Sequence, residues 1–313
     1  MLRFILLRFA WFVPNTILLT FLLFAVLTTW VGSPSSMMLG EFASKEALAE
    51  MDRVYGFNDP VVVQYGRWLL EAVQGNFGRS YSTKQTVATM VGNALPVTIE
   101  LSLWGIVLAG IASVTLNSIT IGRRLLSGII TIVSIIGISV PNFMLGTSLA
   151  YFFAIYLQWL PTSAWVPWSG GVIDHFRHLI LPVVTLSLFY FGSFSMVYRA
   201  EYKNVTNKLF VLVAKAKGIS DGRVSMLHVM PNSALPIITY IGISLGQLAG
   251  GAVITEVVFS LPGVGRVFVT AIKNNDFPVI LSVGMMVLAA MMLFNVIADI
   301  VLAWINPQVR LWK

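Results

Sequence analysis

Three histidines stand beside twenty basic and thirteen acidic residues in this 313-residue chain, and no cysteine accompanies them. His175 and His178 lie three apart with Asp174 adjoining, a spacing that on a helix turns two imidazoles to one face, as a metal site requires. The same spacing suits two interfacial histidines with separate partners, and the pattern falls short of a ligand set, so no metal residues are assigned. His228 lies in a basic segment and reads as a packing residue there. Gly250-Gly251 and the run Leu261-Pro262-Gly263-Val264-Gly265 look at first like phosphate cradles. No Walker lysine follows either, and apolar residues flank both, so close helix packing at Gly246, Gly250 and Gly251 is the better account. Serines, carboxylates and histidines fall in no triad order, and without cysteine there is no thiolate nucleophile, thiolate metal site or disulfide. The chain is expected to bind no cofactor and to catalyse nothing by itself.

The elements that must position these residues are set by composition. Hydrophobic residues make up 57% and charged residues 11%, far below the charged quarter of soluble domains, so the solvent is lipid. The fold class is therefore all-α integral membrane. The +7 formal charge serves to anchor membrane-flanking ends, and no nucleic-acid role follows from it. Six segments reach the roughly 20 apolar residues a span needs, near 9–31, 95–118, 135–157, 179–199, 233–255 and 281–305. The first carries Arg3 and Arg8 before it but is too long for a signal peptide and is read as retained. The run 125–160 is too long for one upright span and too short for two, so the step at Pro141-Asn142 predicts an interfacial approach from Leu125 followed by one tilted span. Asp299 costs roughly 2.5 to 3.5 kcal/mol in lipid, which the apolar residues around it offset at about 0.3 to 0.6 each. Asp299 and Glu100 both sit towards span ends, where a structural partner or interfacial water is expected.

Basic residues sort the loops. Arg3, Arg8, Arg123, Arg124, Arg199, Lys203, Lys208, Lys215, Lys217, Arg223, Arg310 and Lys313 fall on one side, with only Glu201 and Asp221 opposing them. The 32–94 segment on the other side is balanced. Both termini are accordingly expected in the cytoplasm. Three parts follow: residues 1–31 with the first span, an extracytoplasmic segment 32–94, and a core of 95–313. Within 32–94, Asp59 is placed to cap a helix begun by Pro60, with Val62, Tyr65, Leu69 and Val73 as its apolar face and Gly75 as its stop. Ser44 is placed to start a shorter helix.

Between the fourth and fifth spans, the loop 200–232 carries its own pattern. A helix ends at Lys217, where Gly218 can take the left-handed conformation, and Ser220 is placed to cap a second short helix towards Met230. Pro231 and Pro236 mark the return to the membrane. The result is a compact elbow, with Ala214 and Ala216 small enough for close approach to another surface and with Lys215, Lys217 and Arg223 adding charge. An ordinary positive-inside loop has the same charge.

The order of residues carries more. Ala214, Ala216, Gly218, Asn232, Ala234 and Pro236 resemble the cytoplasmic loop of ATP-binding-cassette importer permeases. The fragments YGFNDPVVVQYGRWLLEAVQGNFGRSY (55–81), LPVTIELSL (95–103), SVPNFMLG (139–146), LQWLPTSAW (157–165), GGAVITEVVFSLPGVGRVFVTAI (250–272) and FNVIADIVLAWINPQVR (294–310) are similar to the dipeptide, oligopeptide and nickel permease family. Leu209-Phe210 and Lys215 stand where that family often has Asp-Tyr and Arg. Lys215 keeps the charge and loses the bidentate fork.

The resemblance implies a six-span type I importer permease in the bacterial inner membrane. Its partners would be a second homologous permease subunit, two ATPase subunits that use ATP, an extracytoplasmic substrate-binding protein and membrane lipid. It implies ATPase coupling through Ala214, Lys215, Ala216, Lys217, Gly218, Ser220, Asp221, Arg223 and His228. It also places Pro262, Gly263 and Gly265 at an outer gate. Short peptides are the expected cargo, with nickel or another metal chelate as the alternative. A carrier driven by an ion gradient would need midplane ionisable groups and internal repeats, and a membrane hydrolase would need a catalytic constellation; neither pattern is evident.

Overall fold

The computed structural model describes residues 2–30, 34–39, 43–120 and 122–305. The expectations on Arg310 and Lys313, and on the surroundings of Arg3, Gly246, Gly250 and Gly251, lie outside what is described. The named elements are all helical: α1 (Leu2–Trp30), α2 (Pro34–Leu39), α3 (Lys45–Tyr55), α4 (Val61–Val73), α5 (Val87–Thr120), α6 (Arg124–Ser139), α7 (Asn142–Leu149), α8 (Val172–Thr206), α9 (Leu209–Ala216), α10 (Asp221–Val224), α11 (Met230–Val258), α12 (Val264–Lys273) and α13 (Phe277–Ile305). A π-helical stretch, Ala150–Tyr156, continues α7, and another, Ser225–Val229, joins α10 to α11. Among the described residues, five helices are long and apolar enough to cross a membrane, and a sixth span forms if the bent α6–α7 pair is counted as one.

The chain divides into two compact units. The first comprises Met1–Thr98 with Pro262–Val296. Its centre is α4 lying on α1 and on the start of α13, where Tyr65 packs with Phe24, Phe277, Leu281 and Met285. The Tyr65 hydroxyl donates to Ile17 O at 3.1 Å and lies 2.8 Å from Thr20 Oγ1. The Trp68 indole donates to Ser282 Oγ at 3.3 Å. These bonds fix which face of α4 turns inward, and the expected face needs correcting. Val62 and Val73 are 67% and 80% exposed, while Val61, Trp68 and Leu69 join Tyr65 against the core. The stripe thus runs i, i+4, i+7, i+8 from Val61. Nor does Asp59 cap the helix: the capping position is Pro60, and the Asp59 carboxylate instead takes Arg67 Nη2 at 2.6 Å. Ser44 does cap α3, accepting from Ala47 N at 3.2 Å.

The second unit comprises Ile99–Leu261 with Ile297–Lys313. Helix α8 is its axis, packed by α6, α7 and α11. A Cβ on Gly137 would sit 2.3 Å from Leu188 O, and one on Gly192 would sit 2.4 Å from Ser134 O, so α6 and α8 touch backbone to backbone. This is the small-residue packing that membrane helices use. The break at Val140-Pro141 falls where the sequence predicted it, but the two halves are bent by 116°, far beyond a kinked tilt. Helix α6 packs along α8. Pro231 and Pro236, which mark the expected return to the membrane, both lie inside α11. The helix runs from Asp221 through the π-helical turn into α11 without interruption. Asn232 Nδ2 donates to His228 O at 2.7 Å and Ser233 Oγ to Val229 O at 2.7 Å beside that turn.

Candidate functional site

The elbow after α8 is built around a small core of its own. Val205 from the end of α8, Val211 and Ala214 from α9, Val224 from α10 and Val229 beyond it are all buried together, flanked by Tyr202 and Ile219. Helix α9 ends because Gly218 takes φ +78°. Gly218 N then donates to Lys215 O at 2.9 Å and Ile219 N to Ala214 O at 3.3 Å, which satisfies two terminal carbonyls. Lys215 Nζ meets Asp221 Oδ1 at 2.8 Å across the turn. Both groups are exposed, so the pair is worth at most ~1 kcal/mol and steers geometry more than stability. Tyr202 and Ser225 hydroxyls lie 2.8 Å apart and tie α8 to the start of the return helix.

Of the residues singled out in this loop, Lys215, Ala216, Lys217, Gly218, Ser220, Asp221 and Arg223 are exposed and His228 is half-buried. Ala214 is only 8% exposed, so its small side chain serves the elbow's internal packing and not an outward contact. Ser220 occupies the capping position of α10, but its hydroxyl makes no capping bond. The sequence reading passed over the apolar rim. Leu209, Leu212, Val213, Met226 and Leu227 are 74%, 54%, 45%, 68% and 59% exposed. The signal for the first three was a run of aliphatic residues on a helix of eight residues, too short to bury every side, whereas Met226 and Leu227 lie on the π-helical stretch that follows α10.

At the opposite end of α8, His175 is 1% exposed. Its Nδ1 lies 2.6 Å from Val166 O and its Nε2 2.9 Å from Glu100 Oε1, with Trp168 stacked on the ring at 4.1 Å. His178 is engaged separately, its Nδ1 lying 2.8 Å from Asp174 O. The two imidazoles therefore have separate partners, and Glu100 has the structural partner expected of it. That partner comes from 75 positions away and was not legible in the sequence. Glu256, inside the quoted 250–272 fragment, is fully buried at 0% exposure, and sequence reasoning had not weighed it as a charge.

Within the first unit, Pro262 is exposed, whereas Gly263 and Gly265 are buried. Gly263 caps α12, and Val264 N donates to Thr98 Oγ1 at 2.9 Å. Pro262 and Gly263, but not Gly265, border a cleft of about 330 Å³ that Ser82, Asn93, Arg266 and Asp276 also line. Asp276 is the hub of this region. Ser82 Oγ and Ser80 Oγ each donate to it at 2.5 Å, and Tyr81 N and Ser82 N donate at 2.9 and 3.3 Å. Burial alone would raise the Asp276 carboxyl. The two hydroxyls and two backbone N–H groups outweigh it and hold the group below the ordinary carboxylate range. Burial, with Tyr55 and Asp276 adding to it, pushes the Tyr81 phenol up to about 12.

Comparison with known proteins extends the match along the chain. Residues 102–311 match the family described as binding-protein-dependent transport system inner membrane component, and residues 1–102 match its N-terminal companion. The chain is 34% identical to the probable peptide ABC transporter permease protein y4tP of Sinorhizobium fredii, covering 92% of this chain and 93% of the relative. It is 32% identical to the oligopeptide transport system permease protein AppB of Bacillus subtilis, over 95% and 96% of the two chains. It is 33% identical to the oligopeptide transport system permease protein OppB of Haemophilus influenzae, over 99% and 100%.

Proposed function

Because the chain belongs to the family of binding-protein-dependent transport system inner membrane components, multi-pass proteins of the inner membrane, we propose that it is one permease subunit of an ATP-driven importer of short peptides. It pairs with a second, homologous subunit to enclose the pathway. Two ATPase subunits on the cytoplasmic side bind the elbow 209–230, and an extracytoplasmic binding protein delivers the cargo. The excess of Lys and Arg on one side supports placing both termini in the cytoplasm.

The observation that carries this reading is the elbow itself. It has its own buried core, a left-handed glycine at its corner and an exposed rim of aliphatic and basic side chains, among them Leu212, Val213, Ala216 and Lys217. A rigid body with an unburied apolar edge suits a groove on a soluble partner better than it suits water. Nucleotide-driven closure of the ATPase pair would displace the elbow, and the spans would follow between inward-open and outward-open arrangements. Different elbow contacts in the two states are what couple ATP to transport. Lys215, Ala216, Lys217, Gly218, Ser220, Asp221, Arg223 and His228 form or shape the contact, and Ala214 supports it from within. Pro262, Gly263 and Gly265 shape the outer mouth.

Peptide as cargo is supported by the printed descriptions of the relatives. The nickel alternative gains nothing from His175 and His178, which have separate partners. Titrating the cognate binding protein with tri-alanine and with a nickel–histidine chelate separates the two. Peptide binding and ATP-dependent uptake are expected. Uptake driven by an ion gradient with no ATPase present would overturn the importer reading.

A further inference from the structure

Arg199 is placed where a membrane-anchoring arginine would normally extend its side chain to water. Instead all three of its nitrogens turn to neighbouring helices. Nε donates to Asn117 Oδ1 on α5, Nη1 to Thr131 Oγ1 on α6, and Nη2 to Ser127 O on α6 at 2.9 Å. Asn117 is in turn fixed by its Nδ2, which donates to Ser195 Oγ at 2.9 Å and to Ser113 O at 2.6 Å. One residue before Arg199, the Tyr198 hydroxyl lies 2.5 Å from Ser118 Oγ on α5. Further along α8, Tyr202 bonds Ser225, and Val205 enters the elbow core. Four residues of α8 within 198–205, Tyr198, Arg199, Tyr202 and Val205, thus tie it to α5, to α6 and to the elbow.

We propose that Arg199 is a positioning residue for energy coupling: its guanidinium makes the adjoining ends of α5, α6 and α8 move as one body when the elbow is displaced. The inference rests on the coupling role assigned to the elbow. Without the clamp, the last turns of α8 would bend under the elbow's push and α5 and α6 would not follow. The glycine contacts at Gly137 and Gly192 hold α6 to α8 further along the helix, and Arg199 extends that lock to the elbow end while adding α5. The planar fork reaches two helices at once, a geometry that an ammonium group cannot copy.

The test uses the full complex with its ATPase subunits, with paired spin labels at Leu125→Cys on α6 and Lys203→Cys on α8. In the parent, the label distance is expected to be the same without nucleotide and with ATP and vanadate. In Arg199→Lys, it is expected to shift or broaden on adding nucleotide, and peptide uptake per ATP hydrolysed to fall on the order of tenfold. Thr131→Val removes a single acceptor and should produce a smaller change of the same kind. A parental distance and parental uptake per ATP in Arg199→Lys overturn the proposal. If that variant fails to assemble, Thr131→Val decides by the same two readings. Gly218→Val in the same complex separates the two levels. If it leaves uptake per ATP unchanged, the elbow reading itself fails. If it lowers that ratio and Arg199→Lys does not, only the clamp fails.

Discussion

Gly218 holds φ +78° with no atom within 4 Å of the place a Cβ would occupy, so a side chain there meets backbone strain and no steric clash. Gly218→Val should therefore cost about 1 to 2 kcal/mol confined to the elbow, leaving membrane insertion intact while ATP-coupled uptake is lost. Measuring membrane yield beside uptake checks both halves, and normal uptake would count against the elbow's role. Asp276 poses the opposite case, a residue whose side chain does all the work. Its carboxylate accepts four hydrogen bonds, and Asp276→Asn leaves fixed N–H donors facing an amide. The loss is expected to be ~1 to 3 kcal/mol, read as a lower melting temperature by tryptophan fluorescence in detergent. The pH dependence has a definite sign. A carboxyl held below its unfolded value of about 3.9 contributes stability that is fully present above that pH and lost as pH falls through the folded value. The parent should therefore lose stability on acidification below about pH 4 by more than the Asn variant does.

Helices were legible from the sequence where periodicity and end signals agreed, and misread where a distant partner decided the matter. The Ser44 cap and the Gly218 stop are local, and both stand in the structure. The inward face of α4 is not local: it is set by the Tyr65 hydroxyl finding Ile17 and Thr20, 48 and 45 residues earlier in the chain. Of the expected stripe, Tyr65 and Leu69 do turn inward, while Val61 and Trp68 take the places given to Val62 and Val73. Asp59 was misassigned for a similar reason, since Arg67 on the same helix competes for its carboxylate. The break between α6 and α7 was legible from Pro141, but its 116° angle was not, because close packing on α8 and α11 holds each half. That packing yields an element-scale prediction. Gly137→Ala places a methyl group 2.3 Å from the Leu188 carbonyl oxygen, so the two backbones must part, at a cost of about 1 to 3 kcal/mol. Gly128→Ala, on the same helix with nothing within 4 Å, should be neutral. Heat-induced aggregation of the two purified variants, compared side by side, reads the difference.

At the scale of the whole molecule, the sharp α6–α7 bend decides the path of everything after it. If the pair crosses the membrane once, the segment around Ser169 lies outside and the elbow lies in the cytoplasm. If the pair dips in and returns, both are reversed, and the elbow could not meet a cytoplasmic ATPase. The distribution of charge favours the single crossing, because Arg123 and Arg124 at the start of α6 and the basic cluster from Arg199 to Arg223 then share the cytoplasmic side. The sequence contains no cysteine, so single-cysteine variants report sidedness without background. Lys84→Cys, Ser169→Cys and Lys217→Cys all replace exposed residues. An impermeant maleimide added to intact cells with a permeable outer layer should label the first two and spare the third until the inner membrane is opened. Labelling of Lys217→Cys from outside, together with protection of Ser169→Cys, would show a re-entrant pair and remove the elbow from the ATPase side. Pro141→Ala and Pro141→Leu in the Ser169→Cys background, which remove the ring and restore an N–H at the break, then ask whether the bend itself sets that path. An unchanged labelling side in both would assign the topology to the flanking charges and leave the bend to packing.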